Sequence, residues 1–165
     1  MSSLLRSAAV GVASLLLLSA ITTPAPTQAQ QSPNVKQVQT KTTKPHRMVI
    51  QVIQNDAGVM NAALNNAENL IKYYEDKGET VEIEFVVHGN GLHMVRSDTS
   101  PVKDRILAMS SKMKNVTFSG CGNTMANQSK AENKDITLLP QAKVVPAGIA
   151  RILELQEQGW AYVRA

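Results

Sequence analysis

The chain has 165 residues, a net charge of +4 and aromatic residues at only 4% of its positions. The basic residues are spread along the chain without a clustered face, and few aromatic side chains are present to stack on bases, so the composition argues against a nucleic-acid-binding protein. Cys121 is the only cysteine, which excludes the intramolecular disulfide framework that stabilises many small exported domains.

Residues 1–29 have the features of a secretory signal peptide. A short segment containing Arg6 precedes an apolar run at 7–21, and small residues lead to Ala29, after which we expect cleavage. An uncleaved membrane anchor is the less favoured alternative, because the run is shorter than the roughly 20 residues that a spanning helix needs. The sequence therefore predicts a periplasmic or secreted protein with no stable membrane insertion after cleavage.

The remaining chain divides into a tether and one domain. Residues 30–45 are polar, rich in Gln, Lys and Thr, and lack apolar periodicity, which is typical of a disordered linker. Residues 46–165 contain alternating strand-like and helix-like segments and are long enough for one domain.

Apolar patterning predicts five strands and four helices in this domain. The strands are expected at 48–54, 81–87, 116–119, 143–145 and 160–163, and helical spacing covers 60–74, 102–113, 125–132 and 148–158. Short strands that alternate with helices favour a parallel sheet covered on both sides, and right-handed crossovers limit it to doubly wound topologies. We predict a flavodoxin-like three-layer α/β sandwich with strand order 2-1-3-4-5.

Ligands of such sheets bind beyond the carboxyl ends of the strands, where the strand order reverses. The predicted order brings the turns after strands 1, 2 and 3 together, with Cys121 and Asp56 bordering the reversal point and His88 on the far side of strand 1. The candidate pocket consists of Asn55, Asp56, His88, Gly89, Asn123 and Thr124 around Cys121.

Cys121 is the candidate catalytic residue. It lies between Gly120 and Gly122, at the end of a predicted strand and just before a predicted helix. The partial positive charge of a helix N-terminus favours a thiolate, and the glycines leave room for a partner to approach. This position suits a nucleophilic or sulfur-carrying thiolate. The alternative is a small buried residue in a tight turn.

Other chemistries have weaker signals. His88 either exchanges a proton near the thiol or bonds a turn carbonyl. His93 and Met94, with His88 and Cys121, suggest a soft-ligand Cu(I) site, but the spacing is not a recognised ligand pattern, and we predict no metal site. The segment 89–91 lacks the remaining glycines of a dinucleotide-binding loop and follows the second strand instead of the first, so we expect no cofactor.

Three segments carry a resemblance to a known family. Val86–Leu92 (VVHGNGL), Phe118–Met125 (FSGCGNTM) and the closing stretch Val144–Ala165 resemble the DsrE/DsrF-like family of sulfur-relay proteins, most closely its exported branch. The resemblance covers about Arg47–Ala165. It implies a flavodoxin-like sheet, assembly into trimers or hexamers, and a persulfide on Cys121 that is exchanged with donor and acceptor proteins.

Three functional hypotheses follow. The first is a periplasmic sulfur carrier or sulfurtransferase that acts through Cys121. The second is a non-catalytic oligomeric module that binds a ligand and has a structural cysteine. The third is a periplasmic metal binder.

Overall fold

The computed structural model describes residues 44–165. The predicted signal peptide at 1–29 lies outside the described residues, as does the predicted linker apart from its last two positions. The first strand begins at His46, which is also where the predicted domain begins. Within residues 44–165, no helix combines the length and the apolar character that crossing a membrane requires.

The predicted number and order of strands and helices agree with the structure. The strands are β1 His46–Val52, β2 Val81–Val87, β3 Val116–Cys121, β4 Ala142–Val145 and β5 Ala161–Arg164. The helices are α1 Ala57–Glu75, α2 Lys103–Lys112, α3 Gly122–Glu132 and α4 Gly148–Glu157. The predicted turn after β2 is instead a 3₁₀ segment, Gly89–Val95.

All five strands are parallel, and helices cover both faces of the sheet. The predicted fold class, a flavodoxin-like α/β sandwich, is confirmed. The strand order, β4-β3-β2-β1-β5, differs in its neighbours from the predicted 2-1-3-4-5. In the structure β2 lies between β1 and β3, whereas the prediction placed strand 1 between strands 2 and 3. The three connections from β1 to β4 each step to the adjacent strand in the same direction. Only the connection from β4 to β5 crosses the sheet.

This topology divides the helices between the two faces. Right-handed crossovers that step in one direction place their helices on one face, and the return crossover places its helix on the other. The large core lies under α1, α2 and the 3₁₀ segment and includes Met60, Leu64, Phe85, Leu92, Ile106 and Phe118. The small core under α4 consists of Val49, Val86, Ile152 and Leu155, with Trp160 packed against it.

The sheet face under α4 also buries a charged group, Glu84. Its carboxylate accepts a hydrogen bond from Ser119 Oγ (2.6 Å) and two from the Arg151 guanidinium (2.9 and 2.8 Å). Burial by itself raises the pKa of Glu84, but the bonds from Arg151 and Ser119, together with nearby Lys143, outweigh it and lower the pKa. Since Glu84 is on β2 and Arg151 on α4, this ion pair fixes α4 across the middle of the sheet.

Candidate functional site

The carboxyl ends of β2, β3 and β4 meet at Cys121. Cys121 is the last residue of β3 and pairs in register with Val145 of β4. His88 directly follows β2, whose last residue, Val87, pairs with Gly120. His88 and Cys121 are therefore side by side at one edge of the sheet, one strand spacing apart.

Two helices begin at this edge. Cys121 is the N-cap residue of α3 (φ −72°, ψ 117°), and Gly148 is the first residue of α4. A Cβ atom at Gly148 would lie 3.1 Å from His88 Cβ and 3.3 Å from Cys121 Cβ. The missing side chain of Gly148 therefore lets the N-terminus of α4 approach Cys121, and the partial positive charges of two helix N-termini converge on one sulfur atom.

The surroundings of Cys121 favour the thiolate. Burial alone raises the pKa of the thiol, because charge is disfavoured away from water. The Thr124 hydroxyl and the backbone N–H groups of Gly148, Thr124 and Asn123 more than offset this effect, so the net pKa is lowered. The Asn123 N–H contributes least, and it donates to the Pro146 carbonyl oxygen at 3.1 Å. Cys121 retains 5% of its surface exposed. The sulfur thus sits in a polar, nearly closed site.

His88 is held as a neutral imidazole. Burial lowers its pKa below the ordinary value. The Tyr162 hydroxyl donates to Gln51 Oε1, which leaves Gln51 Nε2 to donate to His88 Nε2 at 2.7 Å. In this arrangement His88 Nε2 accepts, and the ring proton is on Nδ1. His88 therefore supplies no positive charge at neutral pH, and the proton that it can donate is on Nδ1, since Gln51 occupies the Nε2 lone pair.

The structure brings together most of the predicted pocket. His88, Gly89, Asn123 and Thr124 all lie at the edge of the sheet that carries Cys121. Gly89 contacts Thr124 directly, since its N–H donates to Thr124 Oγ1 at 3.1 Å.

Asn55 and Asp56 do not border Cys121 as predicted. Asp56 is the N-cap of α1, where its side chain accepts a bond from the Val59 N–H at 2.8 Å. Because β2 lies between β1 and β3, the end of β1 is two strand spacings, roughly 10 Å, from the end of β3. The predicted contact across the reversal point depended on placing β1 next to β3.

Sequence reasoning missed Gly148, Gln51 and Tyr162. The position of Gly148 could have been predicted, because a helix that begins at 148 after a parallel strand at 143–145 has its N-terminus at the same edge of the sheet as Cys121. Gln51 and Tyr162 had none, because their contact requires β5 beside β1, whereas the predicted order placed strand 5 beside strand 4.

The ligands of the metal hypothesis are not assembled. Met94 is fully buried in the large core, and His93 Nδ1 bonds Thr99 Oγ1 at 2.7 Å. Over residues 44–165, no three His, Cys, Asp or Glu side chains form a group that could hold a metal ion.

Comparison with known proteins gives a structural relative and no family. No protein-family model matches the chain, and no curated protein matches it significantly. Among solved structures, a protein of unknown function from Methanobacterium thermoautotrophicum is similar, with 28% sequence identity and a TM-score of 0.62. The match covers 73% of this chain and 99% of that one. This likeness supports the α/β architecture described above.

Proposed function

We propose that the protein is a DsrE/DsrF-like sulfur carrier or sulfurtransferase that holds sulfur as a persulfide on Cys121. The proposal rests on one observation: two helices begin at a single buried cysteine, in polar surroundings that lower the pKa of its thiol. The sequence around His88 and Cys121, which resembles the sulfur-relay family, supports the same chemistry.

Sulfur uptake needs no external oxidant or reductant. The Cys121 thiolate attacks the outer sulfur of a polysulfide or of a persulfide donor, R–S–SH. A bond forms between Sγ and that sulfur, the bond between that sulfur and R–S breaks, and R–S⁻ leaves with the electron pair. In delivery, an acceptor thiolate attacks the outer sulfur of the Cys121 persulfide. The bond between that sulfur and Sγ breaks, and Cys121 leaves as a thiolate with the electron pair.

The lowered pKa serves both steps. At neutral pH it increases the fraction of attacking thiolate, and on delivery it makes Cys121 a better leaving group. The N–H groups that stabilise the thiolate are also placed to stabilise the negative charge of a persulfide. The proton of the outer sulfur stays on that sulfur through both displacements, so neither step needs a base, and the Nδ1–H of neutral His88 remains a hydrogen-bond donor.

The proposal includes export and self-assembly. The protein acts in the periplasm or outside the cell after cleavage near Ala29, as a trimer or hexamer that meets donor and acceptor proteins. An apolar surface next to the site supports assembly, since Val144, Ile149 and Leu153 are all more than half exposed. The same surface supports the second candidate, an oligomeric ligand-binding module with a structural cysteine.

Mass spectrometry after exposure to polysulfide tests the proposal. We expect the folded full chain to gain one sulfur atom on Cys121, and a thiol reductant to remove it. Cys121→Ser is expected to gain none, and it controls for sulfur bound elsewhere. Failure of the folded wild-type chain to gain sulfur, under conditions in which the denatured chain reacts, contradicts the proposal and favours the structural cysteine.

A further inference from the structure

A continuous set of hydrogen bonds leads from a buried guanidinium to the Cys121 site. Arg96 Nη1 donates to Gln128 Oε1 (3.0 Å), and Gln128 Nε2 donates to the Gly89 carbonyl oxygen (3.2 Å). On the other side of the same residue, the Gly89 N–H donates to Thr124 Oγ1 at 3.1 Å. Gly89 is thus bonded through both its carbonyl and its N–H to side chains of α3.

The backbone of Gly89 makes this contact possible. Its φ is +56°, in the left-handed region that glycine adopts without the penalty of a Cβ atom. That conformation turns the chain sharply after β2 and aims the Gly89 N–H at α3. The bond from Gln128 to the carbonyl holds this turn against the helix.

The bond to Gly89 determines how the Thr124 hydroxyl is used. A threonine hydroxyl has one proton to donate and two lone pairs that accept. The N–H of Gly89 occupies an acceptor position on Thr124 Oγ1, so the hydroxyl proton remains to be donated elsewhere. Thr124 is the third residue of α3, and Cys121 is the N-cap of that helix. A side chain at the third position of a helix can reach back to the N-cap residue, as in the capping box.

We infer that Thr124 is a positioning residue for the chemistry of Cys121, with its hydroxyl held by Gly89 so that it donates to the sulfur. This inference rests on the proposed function, because it assigns the group that keeps the sulfur ionised and ready to attack. Thr124 is also the largest of the contributions that favour the Cys121 thiolate over the thiol. Arg96 and Gln128 act further away, by fixing Gly89.

The pH profile of Cys121 alkylation by iodoacetamide tests the inference in the full chain. Thr124→Val removes the hydroxyl and keeps the branched shape. We expect its midpoint to rise by about one pH unit, with an unchanged limiting rate at high pH. Thr124→Ser keeps the hydroxyl and is expected to retain the wild-type midpoint. Thr117→Val is the matched control, since Thr117 is on the same strand as Cys121 and four residues before it. It is expected to leave the midpoint of the pH profile unchanged.

Two results overturn the inference. One is a Thr124→Val midpoint equal to that of the wild type. The other is a rate that falls equally at every pH, which indicates altered access and not altered ionisation. Thr124→Ala, which also lacks the hydroxyl, replaces Thr124→Val if the latter does not fold.

Sulfur uptake by the same variants separates this inference from the proposed function. A midpoint that shifts with Thr124→Val in a protein that takes up no sulfur supports the inference and contradicts the sulfur-carrier function. Sulfur uptake without any shift contradicts the inference alone.

Discussion

Gly91→Ala is expected to destabilise the folded protein by about 3 kcal/mol, at the upper end of the cost of overpacking. The added Cβ would lie 2.6 Å from the carbonyl carbon of Val52 and 2.8 Å from Cα of Ile53. Both atoms belong to the backbone at the end of β1 and cannot rotate away. The 3₁₀ segment that begins at Gly89 must therefore move off the strand. Denaturant unfolding, monitored by circular dichroism, measures the decrease in the free energy of unfolding.

Gly159→Ala is the matched control for this substitution. Gly159 has a φ of +84°, and nothing lies within 4 Å of its added Cβ, so only the left-handed backbone is penalised, by about 1–2 kcal/mol. Gly91 is not among the residues with positive φ, and its cost is purely steric. If Gly91→Ala lowers the free energy of unfolding by no more than Gly159→Ala does, the close packing of the 3₁₀ segment on β1 is contradicted.

Arg96→Met is expected to reduce the free energy of unfolding by about 2–3 kcal/mol, since it removes the charged hydrogen bonds of a buried guanidinium. The carboxylates of Asp98 and Glu132 are each about one-third exposed and stay partly solvated. Arg96 is fully buried, and its guanidinium donates to both oxygens of Asp98 (3.0 and 2.7 Å) and to both oxygens of Glu132 (2.5 and 2.8 Å). α3 has no buried residues of its own, so this ion pair is a principal attachment of that helix. Methionine fills part of the volume but donates no hydrogen bonds.

Arg105→Met is the control for the loss of an arginine ion pair at the surface. Arg105 bonds Glu68 at 3.1 Å, and its side chain is about one-third exposed. Exposed pairs of this kind contribute about 0.2–1 kcal/mol. Denaturant unfolding compares the two variants, and equal losses contradict the structural role assigned to Arg96.

The same ion pair predicts sensitivity to acid. Arg96, and then Lys134, lower the pKa of Glu132 to about 2, and Arg96 holds the pKa of Asp98 well below its usual range. Because the folded pKa of Glu132 is below the unfolded value of about 4.5, its contribution to stability is present above pH 4.5 and is lost as the pH falls toward 2. Unfolding measured across this window is expected to change less in Arg96→Met than in the wild type.

The order of strands and helices was predictable from the sequence because each strand is a short apolar, β-branched run bounded by turn residues. The run 81–87 is the clearest case, since β2 has the predicted bounds. Local capping was harder to predict. Ser100-Pro101 has the residue types of a helix N-cap and first helical position, but α2 begins at Lys103, and the Ser100 hydroxyl donates to the Met94 carbonyl oxygen.

The strand neighbours were not predictable, because parallel strands can be joined by right-handed crossovers that step in either direction. Local sequence sets the handedness and length of each connection, but packing of the whole sheet decides the direction. Cys121 and Thr124 were found because they lie on one continuous strand and helix. The chain from Tyr162 through Gln51 to His88 was missed because it joins residues that only the observed strand order brings together.

The ionisation midpoint of Cys121 is the most direct test of a stabilised thiolate at this site. Thiolate ultraviolet absorbance, measured against pH in the folded full chain with Cys121→Ser as the blank, reports a single group because the chain has one cysteine. We expect a midpoint clearly below that of a free cysteine, about 8.5. A midpoint at or above that value contradicts this expectation, since the two helix N-termini and the Thr124 hydroxyl would then fail to stabilise the sulfur anion.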